Sequence, residues 1–157
     1  MTETELLERI TIREIREGDE PLIHAFFDAM GGESRSLFNR REYNRRGVLK
    51  YCARPLEDRR YWIAELDGAM AGYVFFLDWQ TSIPEMGVAV RDDLQGMHLG
   101  RTLVEFAKNA AKDAGKGGIE LTTHVANLRA QTLYEAMGFV CKGICKNGTE
   151  LFYLLRY

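Results

Sequence analysis

The fold of this chain is decided by one stretch, Val88-Ala89-Val90-Arg91-Asp92-Asp93-Leu94-Gln95-Gly96-Met97-His98-Leu99-Gly100-Arg101-Thr102-Leu103. An apolar, strand-like run ends in a charged turn, a short loop follows, and an amphipathic run begins at Leu99. Such a loop directs unpaired backbone N–H groups to one point at the positive end of a helix. The pattern therefore predicts a site for a phosphate or diphosphate group where the helix begins.

The composition is typical of an ordinary globular domain. We expect one domain over residues 1–157, and the formal net charge of −2 gives no general attraction to nucleic acid. The longest apolar stretch, residues 70–77, is too short to span a bilayer, and the acidic N-terminus does not resemble a signal peptide. Three cysteines form neither a disulfide framework nor a metal-ligand pattern. We therefore expect a cytoplasmic protein with no bound metal and no nucleic-acid or membrane partner.

Hydrophobic periodicity divides the chain into short elements. Strand-like patterns cover residues 9–16, 61–66, 70–79, 83–90, 119–125, 139–145 and 150–157. Helical patterns begin after Asp19, within the irregular segment 34–60, at Leu99 and after Asn127. This order places one strand–helix–strand unit inside a meander of hairpins. It predicts an α+β (mixed α/β) fold with a mostly antiparallel sheet.

Three residues in the strand-like segments carry more specific expectations. Gly87 lies inside a strand pattern, which predicts a bulge or a close approach to the backbone. Cys141 and Cys145 lie four residues apart, so we expect them to share one face if their segment is a strand.

A second motif covers residues 127–139, Asn127-Leu128-Arg129-Ala130-Gln131-Thr132-Leu133-Tyr134-Glu135-Ala136-Met137-Gly138-Phe139. It contains every fixed position of the pattern Asn-x-x-Ala-x-x-Leu-Tyr-x-x-x-Gly-Phe. The earlier loop follows the pattern Gln/Arg-x-x-Gly-x-Gly/Ala at Gln95 and Gly100, with His98 at the middle glycine. Across essentially its whole length, the chain resembles the GNAT superfamily of N-acyltransferases, in which both patterns occur.

The resemblance implies a particular sheet and a particular co-substrate. In a GNAT-like acyl-CoA N-acyltransferase fold, a parallel pair of strands splays apart within the helix-flanked sheet, and the pantetheine arm of acetyl-CoA occupies the gap. Its amides would pair with the first of these strands, its diphosphate would lie on the loop, and Asn127 would bind the arm from the other side. The cofactor-binding residues implied in this way are Val88, Ala89, Val90, Gln95, Gly96, Met97, His98, Leu99, Gly100, Arg101, Thr102, Asn127 and Tyr134.

Two residues take catalytic roles under the same resemblance. A phenol with a pKa of about 10 is a proton donor at neutral pH, and Tyr134 matches the general acid that protonates the departing thiolate. An amine acceptor must lose a proton before it attacks, which costs about 4.6 kcal/mol at pH 7 for a lysine-type amine and about 1 for an α-amine. Glu85 is similar to a family glutamate that acts as base, directly or through water. His124 is a second candidate base, whereas the cysteines lack a paired histidine motif and a cysteine nucleophile is not expected.

The segment 35–60 is strongly basic and leaves other functions open. Its cations are Arg35, Arg40, Arg41, Arg45, Arg46, Lys50, Arg54, Arg59 and Arg60, against Glu42, Glu57 and Asp58. In the family this region lies over the acceptor pocket, which favours a primary amine that also carries an anionic group. The alternatives are a non-catalytic sensor of acyl-CoA and a module that binds acidic partners through this segment. The resemblance also implies a homodimer, since family members often dimerise.

Overall fold

The computed structural model describes residues 1–32 and 45–157, and it contains one seven-stranded sheet with helices packed on both faces. The strands are β1 (Thr11–Glu14), β2 (Arg59–Leu66), β3 (Ala69–Leu77), β4 (Glu85–Val90), β5 (Gly118–His124), β6 (Val140–Cys145) and β7 (Glu150–Arg156). The helices of the described residues are α1 (Glu3–Arg9), α2 (Glu20–Asp28), α3 (Arg45–Ala53), α4 (Leu99–Asp113) and α5 (Leu128–Ala136).

The sheet confirms the predicted mixed architecture. Its strand order is β1-β2-β3-β4-β5-β7-β6, and every neighbouring pair is antiparallel except β4 and β5, which run parallel. Strands β4 and β5 run parallel because α4 carries the chain back to the end of the sheet at which β4 began. Strands β1 to β3 therefore lie on one side of the parallel pair β4 and β5, and β7 and β6 lie on the other. The line along which β4 and β5 meet is the parallel seam of the sheet.

Alternation along the strands divides the core in two. On the first face, Met86 of β4 and Leu121 of β5 pack under α1, α4 and α5. On the second face, Phe75 and Ala89 pack under α2 and α3. Because successive strand residues point to opposite faces, one strand can contribute to both cores. This division decides which side chains of β4 and β5 can meet.

Gly87 confirms the expectation of a close approach. The ring of Phe75 on β3 lies so near that a Cβ built on Gly87 would stand 2.3 Å from the ring's Cζ. Only a hydrogen in place of a side chain leaves room for the ring. The ring thus covers β4 on the second face and forms an apolar wall beside the parallel seam.

The N-terminal segment differs from its prediction. Residues 9–16 were expected to form one strand, but α1 occupies Glu3–Arg9 and β1 covers only Thr11–Glu14. The helix is short and polar, with Leu6 as its single buried residue, so it shows no hydrophobic periodicity in the sequence. Its start is stabilised by a capping box between Thr2 and Glu5.

Two local expectations need correction. Asp19 stands at the N-cap of α2, but its side chain makes no capping bond; both of its oxygens accept hydrogen bonds of 2.8 Å from Arg13. A buried bidentate ion pair is stronger than a cap bond and takes the carboxylate. The shared face of Cys141 and Cys145 was wrong, because a β-bulge follows Cys141 and reverses the alternation.

Candidate functional site

The parallel seam is closed at one end and open at the other. At the closed end Gly117 N–H donates to Ser82 O over 2.8 Å, and Glu120 N–H donates to Pro84 O over 3.0 Å. Among the described residues, the ladder between β4 and β5 consists of one register pair, Glu85 opposite Glu120. Beyond it the strands diverge, and a cavity of about 720 Å³ opens between the ends of β4 and β5 and the starts of α4 and α5.

The loop before α4 forms the floor of this cavity at the helix N-terminus. Gly96 and His98 both adopt left-handed backbone, with φ of 83° and 63°. The first angle suits glycine, and the second is a conformation that histidine tolerates better than most residues. His98 is the N-cap of α4 and makes no side-chain capping bond. The first N–H groups of the helix are therefore left for another acceptor.

Gly100 brings the two helices close together. A Cβ at this position would lie 3.3 Å from Cδ2 of Leu133 on α5 and 3.8 Å from Cγ2 of Val90 on β4. Any larger side chain would enter the space between the helices at the mouth of the cavity. Packing against Leu133 therefore favours glycine here. The backbone conformation does not, since Gly100 is helical.

Most of the residues predicted from sequence line this cavity. They are Val88, Ala89, Val90, Gln95, Gly96, His98, Leu99, Gly100, Arg101, Asn127 and Tyr134. Three others lie elsewhere. Met97 packs against the core of the first face, and Thr102 lines a separate depression, where its hydroxyl donates to His98 O over 3.1 Å. Glu85 stands at the closed end of the seam, below the cavity.

Helix α5 forms the opposite wall. The Asn127 side chain caps it by accepting a hydrogen bond of 3.2 Å from Ala130 N–H. Tyr134 is 2% exposed and packs beside Phe139 and Tyr153, with ring centroids 5.8 Å and 6.0 Å away. A buried phenol at the cavity wall has the position and the chemistry of a proton donor.

Sequence reasoning did not single out several polar residues of the site. Arg129 lines the cavity and donates a hydrogen bond to Gln95 Oε1, so that α5 and the loop are joined across the opening. Thr123 lines it from β5. Arg129 could have been found from its place within the second motif, and Thr123 from the alternation of side chains along β5. The bond between Arg129 and Gln95 joins residues 34 apart and has no local signal.

The two candidate bases have different surroundings. By strand alternation Glu85 faces the second side of the sheet with Gly87 and Ala89. His124 accepts a hydrogen bond of 3.0 Å from Ala126 N–H at Nδ1. A neutral imidazole that accepts at Nδ1 carries its proton on Nε2. With its proton on Nε2, His124 offers a donor rather than a lone pair to its surroundings.

The buried carboxylate of Glu150 was also not anticipated. Glu150 is 4% exposed at the start of β7, where its Oε2 lies 2.7 Å from Lys146 Nζ and its Oε1 accepts from Thr122 over 3.3 Å. A carboxylate removed from water needs such partners. Strand alternation places Glu150 and Thr122 on the second face, and Lys146 reaches Glu150 from the turn between β6 and β7.

Comparison with known proteins identifies the family. The sequence model of the Acetyltransferase (GNAT) family matches residues 19–139, most of the chain. The chain belongs to the GNAT family. The GNAT fold is also shared with PaiA N-acetyltransferase from Thermoplasma acidophilum, solved in complex with coenzyme A; the TM-score is 0.77, with 18% identity over 94% of this chain and 99% of that one.

Two relatives in sequence carry GNAT activities in their names. An uncharacterized N-acetyltransferase of Methanocaldococcus jannaschii is 26% identical over 149 residues, 90% of this chain and 65% of that protein. The L-amino acid N-acyltransferase MnaT of Escherichia coli is 31% identical over 98 residues, 59% of this chain and 57% of that protein. The GNAT chain thus spans somewhat less than two thirds of the relatives that it matches.

The basic segment of this GNAT protein is described only in part, since Arg35, Arg40, Arg41 and Glu42 lie outside the described residues. The described cations are engaged to different degrees. Arg45 pairs with Asp28 over 2.7 Å, Arg59 lies 3.8 Å from Asp58, and Arg60 bonds to main-chain carbonyl groups. Three cations are exposed on and just after α3, namely Arg46, Lys50 and Arg54.

The cysteines do not contribute a nucleophile to the GNAT site. Cys52 is buried under α2, its thiol donates to Arg16 O over 3.0 Å, and burial raises its pKa to about 11. Cys141 is exposed on β6, away from the cavity lining. In residues 1–32 and 45–157, no cluster of three or more His, Cys, Asp or Glu could hold a metal ion. No helix within the same ranges has both the length and the apolar character to cross a bilayer.

Proposed function

We propose that this protein transfers the acetyl group of acetyl-CoA to a primary amine by direct attack of the amine on the thioester. The observation that carries the proposal is the cavity between the diverging strands, which ends on the N-terminus of α4. An extended chain with a diphosphate at one end matches both parts of this shape. The 720 Å³ volume lies within the range of small-molecule and cofactor sites.

The binding half of the proposal uses backbone groups. Residues 88–90 of β4 present their main chain to the cavity, where pantetheine amides would pair with it as an added strand does. The left-handed turns at Gly96 and His98 bring the loop to the helix start, where N–H groups and the helix dipole favour a diphosphate. Asn127 would contact the pantetheine arm from the cavity wall, while its side chain caps α5.

The chemical half requires two proton transfers. Glu85 accepts a proton from the ammonium group of the acceptor, directly or through a water, and the amine lone pair then forms the N–C bond. The carbonyl oxygen becomes an oxyanion that main-chain N–H groups of β4 stabilise. As the C–S bond breaks, the Tyr134 phenol gives its proton to the thiolate. After these two transfers the nitrogen still carries one extra proton, which it loses to solvent. Glu85 and Tyr134 then return to their starting states through solvent, so the products are the acetamide, free coenzyme A and one proton.

The placement of the two residues supports this division of roles. Tyr134 packs in the core of the first face, and Glu85 belongs to the second face by alternation along β4. An acid and a base on opposite sides of the seam suit two substrates that enter from opposite sides. The thiol leaves toward α5, and the amine arrives from the side covered by α2 and α3.

We further propose that the acceptor carries an anionic group beside its amine. Arg46, Lys50 and Arg54 are exposed at α3, which covers the second face. The E. coli relative is named for L-amino acids, which have a carboxylate beside the amine. Acceptor KM should then rise with ionic strength, because exposed charge pairs are screened. A KM that does not depend on salt would remove the anionic group from the proposal.

Calorimetry and a thiol-release assay together test the function. Coenzyme A should bind the wild-type protein, and free thiol should appear when acetyl-CoA is mixed with a suitable member of a panel of amino acids, N-terminal peptides, lysine peptides and alkyl diamines. G100E should abolish binding, since the new side chain meets Leu133 and Val90 and adds a negative charge at the diphosphate site. N109E adds the same charge about 14 Å further along α4 at an exposed position, and should bind normally.

The two alternative functions give different results in these assays. A sensor of acyl-CoA would bind coenzyme A but release no thiol with any amine. A module for acidic partners would retard random DNA in a gel and show no heat with coenzyme A. If G100E binds as well as N109E does, the site lies elsewhere.

A further inference from the structure

Two features of this chain that the family patterns do not account for are in contact with each other. One is His98, which stands where the loop pattern has its middle glycine. The other is α1, which precedes the matched residues 19–139. Glu3 of α1 and His98 are in hydrogen-bond contact, with Oε1 and Nδ1 2.6 Å apart across 95 residues of sequence.

Helix α1 holds Glu3 in a defined place. Leu6 is fully buried in the core of the first face, and Arg9 pairs with Asp67 in the turn between β2 and β3. At the N-terminal end, Glu5 N–H donates to Thr2 Oγ1 over 3.1 Å, which completes the capping box. Leu6 and Arg9 thus anchor the helix to the rest of the protein, and the capping box stabilises its first turn, which carries Glu3.

His98 is the N-cap of α4. The residues two positions away on either side, Gly96 and Gly100, carry no side chain that could limit the ring. The ring lines the cavity, but its Nδ1 is directed to Glu3, which is not among the residues that line the cavity. The contact with Glu3 therefore holds Nδ1 on the side of the ring that faces α1.

We propose that Glu3 is a positioning residue of the acyl-CoA site, which holds the His98 ring clear of the place where the diphosphate binds. The inference rests on the proposed function, since it takes the N-terminus of α4 as the diphosphate site. It extends the site to a helix outside the matched part of the chain. Glu3 does not touch the ligand; it removes an obstacle that this chain has in place of a glycine.

A double-mutant cycle of E3Q and H98G tests this role through the Kd for coenzyme A and the KM for acetyl-CoA. Exposed ion pairs restrain a side chain weakly, so E3Q should weaken binding by about two- to five-fold. It should raise KM by a similar factor and leave kcat unchanged. H98G should bind as well as the wild type or tighter, and E3Q should have no further effect in the H98G protein. E8Q, which removes a charge from an exposed position of the same helix, should behave as the wild type.

Each contrary result has a distinct meaning. An equal loss from E3Q in both backgrounds would show that Glu3 acts only through the stability of α1, and a large loss in H98G would show that the imidazole itself holds phosphate. Either result overturns the proposal, as does an E3Q protein that binds normally. The imidazole nitrogen resonances of His98 should shift in E3Q without any ligand. If E3Q shows this shift and the wild-type protein does not bind coenzyme A, the contact is confirmed and the proposed function is refuted.

Discussion

Replacement of Tyr134 by phenylalanine separates catalysis from stability, because the chain supplies a matched control. Tyr134 and Tyr153 are 2% and 1% exposed, lie in one core cluster, and have ring centroids 6.0 Å apart. Only Tyr134 lines the cavity. Y134F and Y153F remove the same atom from the same kind of environment, and only one of them removes the proposed acid.

The expected magnitudes differ by property. Loss of one buried hydroxyl hydrogen bond costs about 0.5–1.5 kcal/mol, and the 3.5 Å bond from Tyr153 to Glu135 belongs at the low end. Both variants should therefore unfold within a few degrees of the wild type, since 1 kcal/mol shifts Tm by roughly 2–4 °C in a domain of this size. A general acid contributes about 10²- to 10⁴-fold to the rate, which is about 2.7–5.4 kcal/mol of activation free energy. Y134F alone should show this loss.

The assay is thiol release at saturating acetyl-CoA, with the coenzyme A Kd and the Tm measured on the same preparations. Y134F should lose kcat and keep its Kd within about two-fold, because the phenyl ring fills the same space. A Y134F protein with the kcat of Y153F would exclude Tyr134 as the proton donor. Equal losses in both variants would assign the effect to packing around β7 and α5.

Three further predictions concern the rest of the site and the core. E85Q should lower kcat by about 10²-fold or more at pH 7, where the acceptor is an ammonium ion, whereas E120Q at the register partner should stay near wild-type turnover; equal losses would point to the like-charged pair rather than to a base. D19N should lower the free energy of unfolding by on the order of 3 kcal/mol, because it breaks the ion pair between Asp19 and the Arg13 guanidinium. That guanidinium holds the pKa of Asp19 below its ordinary value, so the stabilisation is present above about pH 4 and is lost as the pH falls toward the folded-state pKa; denaturant titrations should show a flatter acid limb in D19N. A thiol reagent at pH 8 should label Cys141 readily and Cys52 only in unfolded protein, since a pKa of about 11 leaves roughly 0.1% thiolate; rapid loss of both thiols in the native state would contradict the burial of Cys52.

The parts of the fold that could be predicted from the sequence are those with local causes. The start of α4 at Leu99, the cap of α5 at Asn127 and the close approach at Gly87 each follow from a few neighbouring residues. Strand alternation and turn residues gave the order of the strands along the chain. The left-handed backbone at His98 is a conformation that histidine tolerates better than most residues, so the loop can adopt it there without glycine.

The remaining features depend on contacts between distant residues. Helix α1 has one buried side chain, so its stability comes from docking rather than from a periodic apolar face. Asp19 resembles a cap until Arg13 takes both its oxygens, and a single bulge reverses the faces of β6. Arg13 and Asp19 are only six residues apart, yet the sequence pattern does not distinguish this pairing from a helix cap. Contacts of this kind also decide the details of the candidate site, such as the bond between Glu3 and His98.

The chemistry of the seam follows from its incomplete pairing. The side of β4 that faces β3 is paired along Glu85–Val90, while its ladder with β5 ends at the first of these residues. Residues 88–90 keep their bonds to β3, and their remaining backbone groups face the cavity, where Val90 O accepts a hydrogen bond of 3.4 Å from Gln95 Nε2 and unpaired groups would be costly. A compact ion satisfies one or two such groups, and an aromatic ring satisfies none. An extended ligand with alternating amide donors and acceptors satisfies a row of them, and its terminal diphosphate then reaches the N-terminus of α4. Under the proposed function, the backbone of β4 would select the arm of the co-substrate, and the side chains around the two faces would choose the acceptor.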